Sequence, residues 1–482
     1  MQLKSSTMSI AKLKSYLPFL LIICTNSLLA QQQWTLQQCI EHAMKNNLQV
    51  RIAVLNNELN EANLKQSKAN ALPNLNFGAN NAYNFGQTID RFTNQFANTR
   101  VQSINVGLQT QWNLFNGLQN YHTIKQNQIN IMTGKYDIDR AKNDVSLNVA
   151  NAFLQVALAR ELINITQNQV NTSNVQLQRI KKLVDAGALP KFNQYESESQ
   201  LAAEELNVVN AKNQLNLATL NLALLLNVNP DDFSIAIPNL PDPNQLPLNF
   251  TANQVYNAAL SNQPIIKGAE NRVLSAERGI KIAKGAMMPN LSFSGSLGTG
   301  YSGLARQIAG YDSTIATIGY TAIGNEVYEV YSLFVNPVLE NSPYRKQFQD
   351  NFNRSLGFTI SMPLFNNLQT HTAVNRAKIN LESARLQLLQ SKLDLQRAVL
   401  QAFTDANGSL NKYNATEKTV IALRESFKYA EQRYNVGAAN AVDYNTQKNN
   451  VTNAETQLLQ AKYEYIFKVK VLDFYSGKAI AL

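Results

Sequence analysis

Cysteine, histidine and charged residues are scarce in this sequence of 482 residues. It contains two cysteines and three histidines, and charged residues make up 16% of it. Cys24 lies in an apolar run near the amino terminus, so Cys39 is the only cysteine of the remaining chain and no internal disulfide can form there. No Ser-His-Asp, Cys-His or paired-carboxylate arrangement is discernible. We therefore expect a protein that is not an enzyme and that needs neither a metal nor a cofactor.

Long hydrophobic runs and blocks of like charge are also absent outside the amino terminus. A membrane-spanning helix needs about 18 or more consecutive apolar residues, so a chain of this kind would cross a bilayer with strands. The formal net charge of +10 is scattered among Asn and Gln, whereas a nucleic-acid-binding protein clusters Lys and Arg on one face. We therefore expect no nucleic-acid partner. The low content of glycine and proline, 20 and 13 residues, instead suits long helices with amide-rich polar faces.

The amino-terminal segment has the composition of an export signal. Three lysines precede an apolar run from Leu17 to Cys24, and small and polar residues follow up to Ala30. We therefore assign residues 1–30 to a signal peptide that is cleaved after Ala30. A lipid-modified cysteine normally follows a small residue, whereas Cys24 follows Ile23, which disfavours lipidation without deciding it.

The rest of the chain is a tandem duplication. Residues 72–75 (Leu-Pro-Asn-Leu) return as 288–291 (Met-Pro-Asn-Leu) at an offset of 216, and Leu-Phe-Asn at 114–116 returns at 364–366 at an offset of 250. The second copy is therefore 34 residues longer between the two motifs. We assign residues 31–228 to the first repeat, 229–250 to a proline-rich linker, 251–482 to the second repeat, and about 302–352 to an enlarged loop within it.

Each copy is predicted to fold as a helix, two strands, a long helix and a further helix. Apolar residues recur every three, four or seven positions from Ile138 to Val184 and again from Leu388 to Tyr434, which predicts coiled-coil-like packing. The long helix, from about Gly117 to Val184, would measure about 100 Å at 1.5 Å per residue. The stretches Leu36–Ala71 and Pro190–Leu226 would each measure about half of that, so stacked end to end they match it. An isolated dimeric coiled coil would show the same periodicity.

The predicted strands alternate apolar residues with small or polar ones, as at Leu75, Phe77 and Ala79 of the first copy. Each has about ten residues, the length that crosses a bilayer when the strand is tilted. The edge of a soluble sandwich would show the same alternation. Four such strands in lipid would leave two edges of unpaired backbone groups, so this chain would have to close its sheet by joining copies of itself.

The duplicated plan, the Leu-Phe-Asn motif before each long helix and the turn at 433–437 (Arg-Tyr-Asn-Val-Gly), followed by Asp443, resemble the TolC-like outer membrane factors, or outer membrane efflux proteins. The resemblance implies a mainly α protein with a transmembrane β part. The family forms a homotrimer in which four strands per protomer make a twelve-stranded β-barrel, continued by a long α-helical coiled-coil barrel. It also implies a place in the outer membrane, with the helical barrel in the periplasm, and partnership with a periplasmic adaptor protein and an inner-membrane pump.

The resemblance also assigns a periplasmic entrance to the turns after the long helices, held shut by polar contacts and lined by acidic rings. The residues at the matching positions are Tyr434, Gly437 and Asp443 in the second copy, and Gly187 and Asn193 in the first. One member of the family has an Arg two residues after the glycine and a second Asp nine residues after it, whereas this chain has Ala439 and Thr446. Any lock here must therefore differ, and Asp443 could instead only cap the returning helix.

The function expected from this resemblance is that of an outer-membrane channel or duct of a tripartite efflux or type I secretion system, through which small molecules or polypeptides pass passively. The alternative is an exported structural or adhesive coiled-coil protein without a pore. The insertion at about 302–352 would enlarge an extracellular loop, either as a lid that packs on itself or as a constriction of the outer mouth. The sequence leaves the cargo and the class of pump open.

Overall fold

The computed structural model describes residues 33–98, 100–230, 233–236 and 240–480. The assigned signal peptide at 1–30, with its cleavage site and Cys24, lies outside these residues. The helices are α1 Leu36–Asn46, α2 Leu48–Ala69, α3 Gln119–Asp185, α4 Lys191–Leu226, α5 Ala252–Asn262, α6 Pro264–Gly285, α7 Tyr344–Asp350, α8 Gln369–Asn435 and α9 Ala441–Tyr475. The strands are β1 Asn74–Asn84, β2 Thr88–Ile89, β3 Phe96–Ala97, β4 Val101–Asn116, β5 Asn290–Ser302, β6 Arg306–Ile323, β7 Glu326–Asn341 and β8 Asn353–Ser361.

The element bounds repeat along the chain at the two offsets that the motifs show. α1 and α5 begin 216 residues apart, at Leu36 and Ala252. α3 and α8, of 67 residues each, begin 250 residues apart, at Gln119 and Gln369. The long helix of the first copy begins and ends within two residues of its predicted bounds, so the 3.5-residue periodicity predicted this element correctly.

The chain divides into two compact units. A sheet unit comprises Glu61–Ile129 and Leu274–Ser383, and a helical unit comprises the residues up to Asn60, Asn130–Val273 and those from Ala384 on. α3 and α8 each contribute residues to both units. No helix in the described part of the chain combines the length and the hydropathy that crossing a membrane requires.

The helical unit has two hydrophobic cores built from equivalent residues of the two copies. The first packs α1, α3 and α4 with part of α9, and the second packs α5, α6 and α8 with another part of α9. Equivalent buried pairs are Cys39 with Val255, Ala43 with Ala259, Val149 with Val399 and Leu222 with Leu472. The apolar stripe predicted along α3 is buried at Val145, Val156, Leu177 and Ile180. Each fully buried side chain of this kind stabilises the fold by about 1.5–3 kcal/mol, so packing holds this unit together without a disulfide.

The first helix of the first copy is broken, whereas its periodicity predicts a single helix over Leu36–Ala71, and that prediction is wrong at Asn47. The backbone of Asn47 is extended, with φ −66° and ψ 134°. Its N–H donates to the Ala43 carbonyl at 2.8 Å, and its side-chain oxygen accepts from the Gln49 N–H at 2.9 Å, so Asn47 ends α1 and caps α2. Its side-chain amide also donates to the Leu225 carbonyl at 3.1 Å, which fixes the break against the end of α4.

The sheet unit is organised around four antiparallel strands in the order β1-β4-β5-β8. The four predicted strands are therefore present in one sheet, and the pairing of β4 with β5 joins the two copies. The register places Asn76, Gln109, Ser296 and Ser355 side by side across all four strands. A row of this kind repeats at every second residue because successive side chains of a strand point to opposite faces.

The register separates the side chains of the four-stranded sheet into two faces of opposite character. The apolar face carries Leu75, Phe77, Tyr83, Ile104, Val106, Leu108, Trp112, Leu291, Phe293, Leu297, Leu356, Phe358 and Ile360. It also carries one charged side chain, Arg354, near the start of β8. The polar face carries Asn74, Asn76, Asn80, Asn105, Gln109, Gln111, Ser292, Ser294, Ser296, Ser355 and Thr359. Within the paired residues of these four strands, the polar face has no charged side chain.

The insertion of the second copy is a long two-stranded hairpin followed by the short helix α7. β6 and β7 pair along their whole length, from Arg306 with Asn341 to Ile323 with Glu326, and form a sheet of their own. α7 then leads into β8. The segment predicted as an enlarged loop thus has regular secondary structure, which the sequence alone did not indicate.

Candidate functional site

The turns that end the long helices have the same backbone geometry in both copies. Gly187 and Gly437 have positive φ angles of 73° and 77°, which residues with a Cβ rarely adopt. In each turn the glycine N–H donates to the carbonyl three residues earlier, at 2.9 and 3.1 Å, and the next N–H donates to the carbonyl five residues earlier, at 2.8 Å. This is the Schellman arrangement, which satisfies the last carbonyl groups of α3 and α8.

The returning helices begin differently in the two copies. Asn440 precedes α9, and its side-chain oxygen accepts a hydrogen bond from the backbone N–H of Asp443 at 2.7 Å. Pro190 precedes α4 and supplies no side-chain cap. Asn440 is therefore the cap of α9, and the exposed Asp443 lies in the first helical turn, where the helix dipole favours a negative charge. Asn193, at the matching position of the first copy, is half-buried and uncharged.

An aromatic cluster lies beside the second turn. The rings of Tyr434 and Tyr444 stack with their centroids 4.8 Å apart, and the ring of Phe427 lies 5.4 Å from that of Tyr444. Tyr444 is only 4% exposed. Burial raises the pKa of its hydroxyl to about 12, and the nearby Glu431 carboxylate adds to the change because it disfavours a phenolate. Tyr434 is thus half of a packed aromatic pair.

A polar contact joins the ends of the two long helices. The guanidinium of Arg179, near the end of α3, donates to the side-chain oxygen of Asn435 and, at 3.3 Å, to its backbone carbonyl. Asn435 is the last residue of α8, so the contact lies at the turn that contains Gly437. It connects a helix of the first copy to a helix of the second at the predicted entrance.

A buried ion pair lies further along the returning helices. Lys448 of α9 and Glu204 of α4 are each 3% exposed, and Nζ lies 3.1 Å from Oε1. The Lys448 ammonium also donates to the hydroxyl of Ser173, and the side-chain amides of Gln169 and Gln200 donate to the Glu204 carboxylate at 3.3 and 2.9 Å. Burial lowers the pKa of Lys448, although the Glu204 carboxylate opposes the change. These hydrogen bonds offset part of the cost of burying two charges.

The buried ion pair and the Arg179 contact were both missed by sequence reasoning, although the pair leaves a signal. Lys448 lies three residues before the buried Val451, and Glu204 lies four residues before the buried Val208. Both charges therefore occupy positions of an apolar stripe, where a charged side chain needs a partner. Arg179 leaves no such signal because it lies on an exposed part of α3.

The contacts near the two turns link the two copies of the repeat. Hydrogen bonds from Arg179 and the ion pair of Lys448 both link helices of the first copy to helices of the second. Over the residues that the structure describes, no cluster of three or more His, Cys, Asp or Glu side chains could hold a metal ion. These contacts hold helices of the two copies together at this end.

The fold is that of known outer-membrane channels. The solved structure of the Campylobacter jejuni CmeC outer membrane channel matches it with a TM-score of 0.68 and 17% sequence identity, over 92% of this chain and 85% of that chain. This likeness assigns the fold to the class of outer-membrane channels.

A sequence model described as "Outer membrane efflux protein" matches residues 39–228 and 255–478, and the chain belongs to that family. It is similar to the outer membrane protein TolC of Salmonella enteritidis, with 22% identity over 463 residues, 94% of this chain and 84% of that protein. It is also similar to the toxin and drug export protein A of Aggregatibacter actinomycetemcomitans, with 20% identity over 342 residues, 68% of this chain and 63% of that protein.

The family, the outer-membrane location and the duct function predicted from the sequence are therefore confirmed. The chain is an outer-membrane duct of efflux or secretion systems. Members of the family are channel proteins.

Proposed function

We propose that the chain works as a homotrimer whose strands close into a twelve-stranded β-barrel, with four strands from each protomer. The observation that supports this most is the four-stranded sheet. β1 and β8 are its outer strands, and each pairs on one side only within the described residues. Unpaired backbone groups in lipid cost several kcal/mol each, so β8 of one protomer has to pair with β1 of the next.

The two faces of the sheet fit such a barrel. The apolar face, with side chains such as Phe77, Phe293 and Phe358, would contact lipid, and the uncharged polar face would line a water-filled lumen. α3 and α8 continue from the sheet unit into the helical unit, and we propose that they build a coiled-coil barrel in the periplasm. The passage through the barrel would then continue between these helices.

The duct is passive and is not an enzyme, so partners supply the energy for export. We propose that these partners are a periplasmic adaptor protein and an inner-membrane pump of a tripartite efflux or type I secretion system. The similarity to TolC and to a toxin and drug export protein supports this role. Small molecules or polypeptides would be the cargo.

We place the gate of the duct at the turns after α3 and α8. The proposed gate residues are Tyr434, Asp443, Gly437, Gly187 and Asn193, and we add Arg179 and Asn435 because they contact each other at this turn. The Arg179 contact with Asn435 would hold the helix ends together in the closed state. Asp443 would recur three times around the entrance, where an acidic ring attracts cations. Because this chain has Ala439 and Thr446 where one member of the family has an Arg and an Asp, the lock depends on Arg179 instead.

Recordings in planar lipid bilayers test the duct. We expect the purified full chain to migrate in detergent as a species of three times the chain mass and to produce stable single-channel conductance. A monomer in detergent would contradict the closed barrel. A trimer that conducts no ions would favour a structural role without a pore.

Two substitutions test the gate in the same recordings. We expect Arg179→Ala to raise the single-channel conductance, because it removes the contact between the helix ends. We expect Asp443→Asn to weaken block by divalent cations. Asp312→Asn, on the hairpin of β6 and β7, removes a carboxylate elsewhere and is the control. If conductance and block stay unchanged in both gate variants, these residues do not form the gate.

A further inference from the structure

The hairpin of β6 and β7 has one face that is rich in large apolar side chains. Cross-strand pairs such as Ile308 with Leu339 and Ile315 with Leu333 share this surface, which we call the hairpin face. Its large apolar side chains, each more than half exposed, are Ile308, Tyr311, Ile315, Tyr320, Val327, Tyr331, Leu333, Val335 and Leu339. The hairpin face also carries two charged side chains, Arg306 at its base and Glu329 near its tip, where the Glu329 carboxylate accepts from the Thr317 hydroxyl at 3.1 Å. The opposite face mixes apolar side chains with those of Asp312, Glu326, Asn336 and Glu340.

A hairpin of this kind is poorly suited to standing alone in water. Two strands need a third strand or a packed face for independent stability. Proteins also protect exposed strand edges with lysine, proline or short strands, whereas β6 and β7 have 18 and 16 residues, contain no lysine and have one proline, Pro337. The hairpin face is therefore expected to be covered in the assembled protein.

The base of the hairpin is held in place by buried hydrogen bonds. The side chain of Gln347 accepts from the Ser302 N–H at 2.8 Å and donates to the carbonyls of Ser302 at 3.1 Å and Ser342 at 2.8 Å. The Ser302 hydroxyl donates to the Asp90 carboxylate at 2.5 Å, and all four residues are buried. Each copy of the hairpin thus leaves β5 in the same direction, so symmetry-related copies can present the same surface to one another.

Lipid is not the cover of the hairpin face. β5 has 13 residues, and a tilted strand crosses a bilayer with about 9–11, so the hairpin, which begins at Arg306, starts after the span is complete. The hairpin face itself carries the carboxylate of Glu329, and charged side chains facing hydrocarbon are costly. The strand edges of the hairpin would also stay unpaired there.

We propose that the hairpin face packs against the hairpin faces of the neighbouring protomers, so that three hairpins form one apolar cluster on the outer side of the membrane. This inference rests on the proposed trimer. The exposed apolar side chains offer roughly 1,000 Å² per protomer, and a stable protein interface buries about 800 Å² per partner. Tyr311, Tyr320 and Tyr331 belong to the residue type that is enriched in interface cores. Copies of this chain are therefore sufficient to cover the face.

Cysteine cross-linking of the full chain, in outer membranes and after purification, tests this arrangement. Val335→Cys places a thiol on the hairpin face, and Asn336→Cys places one on the opposite face at the next residue. The native Cys39 is fully buried, and burial raises the pKa of its thiol to about 12. It is therefore expected not to react with a cross-linking reagent. We expect a short bismaleimide to yield several-fold more covalent dimer with Val335→Cys than with Asn336→Cys.

Three outcomes would overturn the proposal: equal cross-linking of the two variants, none with Val335→Cys, or cross-linking of Val335→Cys to a protein other than this chain. Trimer mass and conductance are measured on the same samples. If the samples contain no trimer, the proposed function fails. If the trimer is intact and conducts ions, the cross-linking result decides only whether the hairpin faces meet.

A second pair of variants tests the contact between hairpin faces without a cross-linking reagent. Leu333→Asp would bury a carboxylate in the apolar cluster, so we expect it to lower the temperature at which the purified trimer dissociates. Thr314→Asp adds the same charge on the opposite face and is expected to leave that temperature unchanged. If Leu333→Asp dissociates at the wild-type temperature, the hairpin faces do not meet.

Discussion

At the scale of single residues, Lys448 is a charge at a position where its helix otherwise buries apolar side chains. Its ammonium group is buried away from water, where it pairs with the Glu204 carboxylate and donates a hydrogen bond to the hydroxyl of Ser173. Removing one partner of such a pair leaves the other buried without compensation. We expect Lys448→Met to lower the free energy of unfolding by about 3–5 kcal/mol, measured by chemical denaturation of the detergent-solubilised protein.

Two controls isolate burial as the cause of this loss. Lys412 pairs with Glu464 at 3.0 Å, but these side chains are 54% and 44% exposed, so Lys412→Met is expected to cost no more than about 1 kcal/mol. Adding Glu204→Leu to Lys448→Met should recover most of the lost stability, because no charge then stays buried. Equal losses for Lys448→Met and Lys412→Met would contradict this account.

The hydroxyl of Tyr444 makes the helix ends sensitive to alkaline pH. Burial raises its pKa from 10.0 to about 12, so between these values the folded state keeps a proton that the unfolded state releases. Its contribution, about 2–3 kcal/mol, is complete below pH 10 and is lost as the pH rises through about 12. We expect the stability of Tyr444→Phe to fall less than that of the wild type between pH 10 and 12, measured by denaturation at a series of pH values. Tyr429→Phe, at a 63% exposed position, should keep it, and an unchanged decline in Tyr444→Phe would count against the assignment.

Sequence reasoning could place some of the gate candidates but not their contacts. Gly187 and Gly437 follow from the repeat, and both have the positive φ that a Schellman turn requires. Asn440 as the cap of α9 and the contact of Arg179 with Asn435 do not follow from it. A contact of this kind depends on which faces of distant helices meet, and a single sequence carries no record of that.

At the scale of secondary-structure elements, the turn between α8 and α9 depends on the backbone of one glycine. A Cβ at Gly437 would meet no atom within 4 Å, so only its positive φ opposes a side chain. We expect Gly437→Ala to destabilise the protein by about 1–2 kcal/mol. Gly408 also has open space but lies inside α8, so Gly408→Ala should stabilise by about 0.5–1 kcal/mol. Denaturation midpoints should therefore shift in opposite directions, and a stabilising Gly437→Ala would show that the turn is not strained.

Periodicity predicts the long helices and the four strands of the main sheet, because burial of one face leaves a regular pattern of apolar residues. It does not predict the break at Asn47, where the contact with Leu225 decides the outcome. It also does not predict the pairing of β6 with β7. Apolar side chains occur on both faces of that hairpin, so the alternation typical of a half-buried strand is weak.

At the scale of the whole molecule, the uncharged polar face would line the proposed barrel and determine its ion selectivity. Ser296 lies on this face between Gln109 and Ser355. A lining of amides and hydroxyls has dipoles but no net charge, so we expect this part of the duct to favour neither cations nor anions. Ser296→Asp would add three carboxylates around the lumen of a trimer and make the duct cation-selective, and Ser296→Lys would make it anion-selective. The reversal potential in a KCl gradient measures both changes.

The control for this prediction is Ser332→Asp, which adds the same charge to the hairpin outside the four-stranded sheet. Its reversal potential should equal that of the wild type. An unchanged reversal potential with Ser296→Asp would show that the polar face does not line the lumen, even if the protein still conducts.

The equal lengths of α3 and α8, 67 residues each, limit how such a protein can change in size. One heptad spans about 10 Å of helix, and its loss from one copy alone would shift that copy's apolar stripe against an unshortened neighbour. A lineage whose two membranes lie closer together or further apart would therefore have to delete or insert heptads in both copies at once. In the proposed tube, the duplication provides the second long helix of each protomer, and it also requires both copies to keep the same helix length.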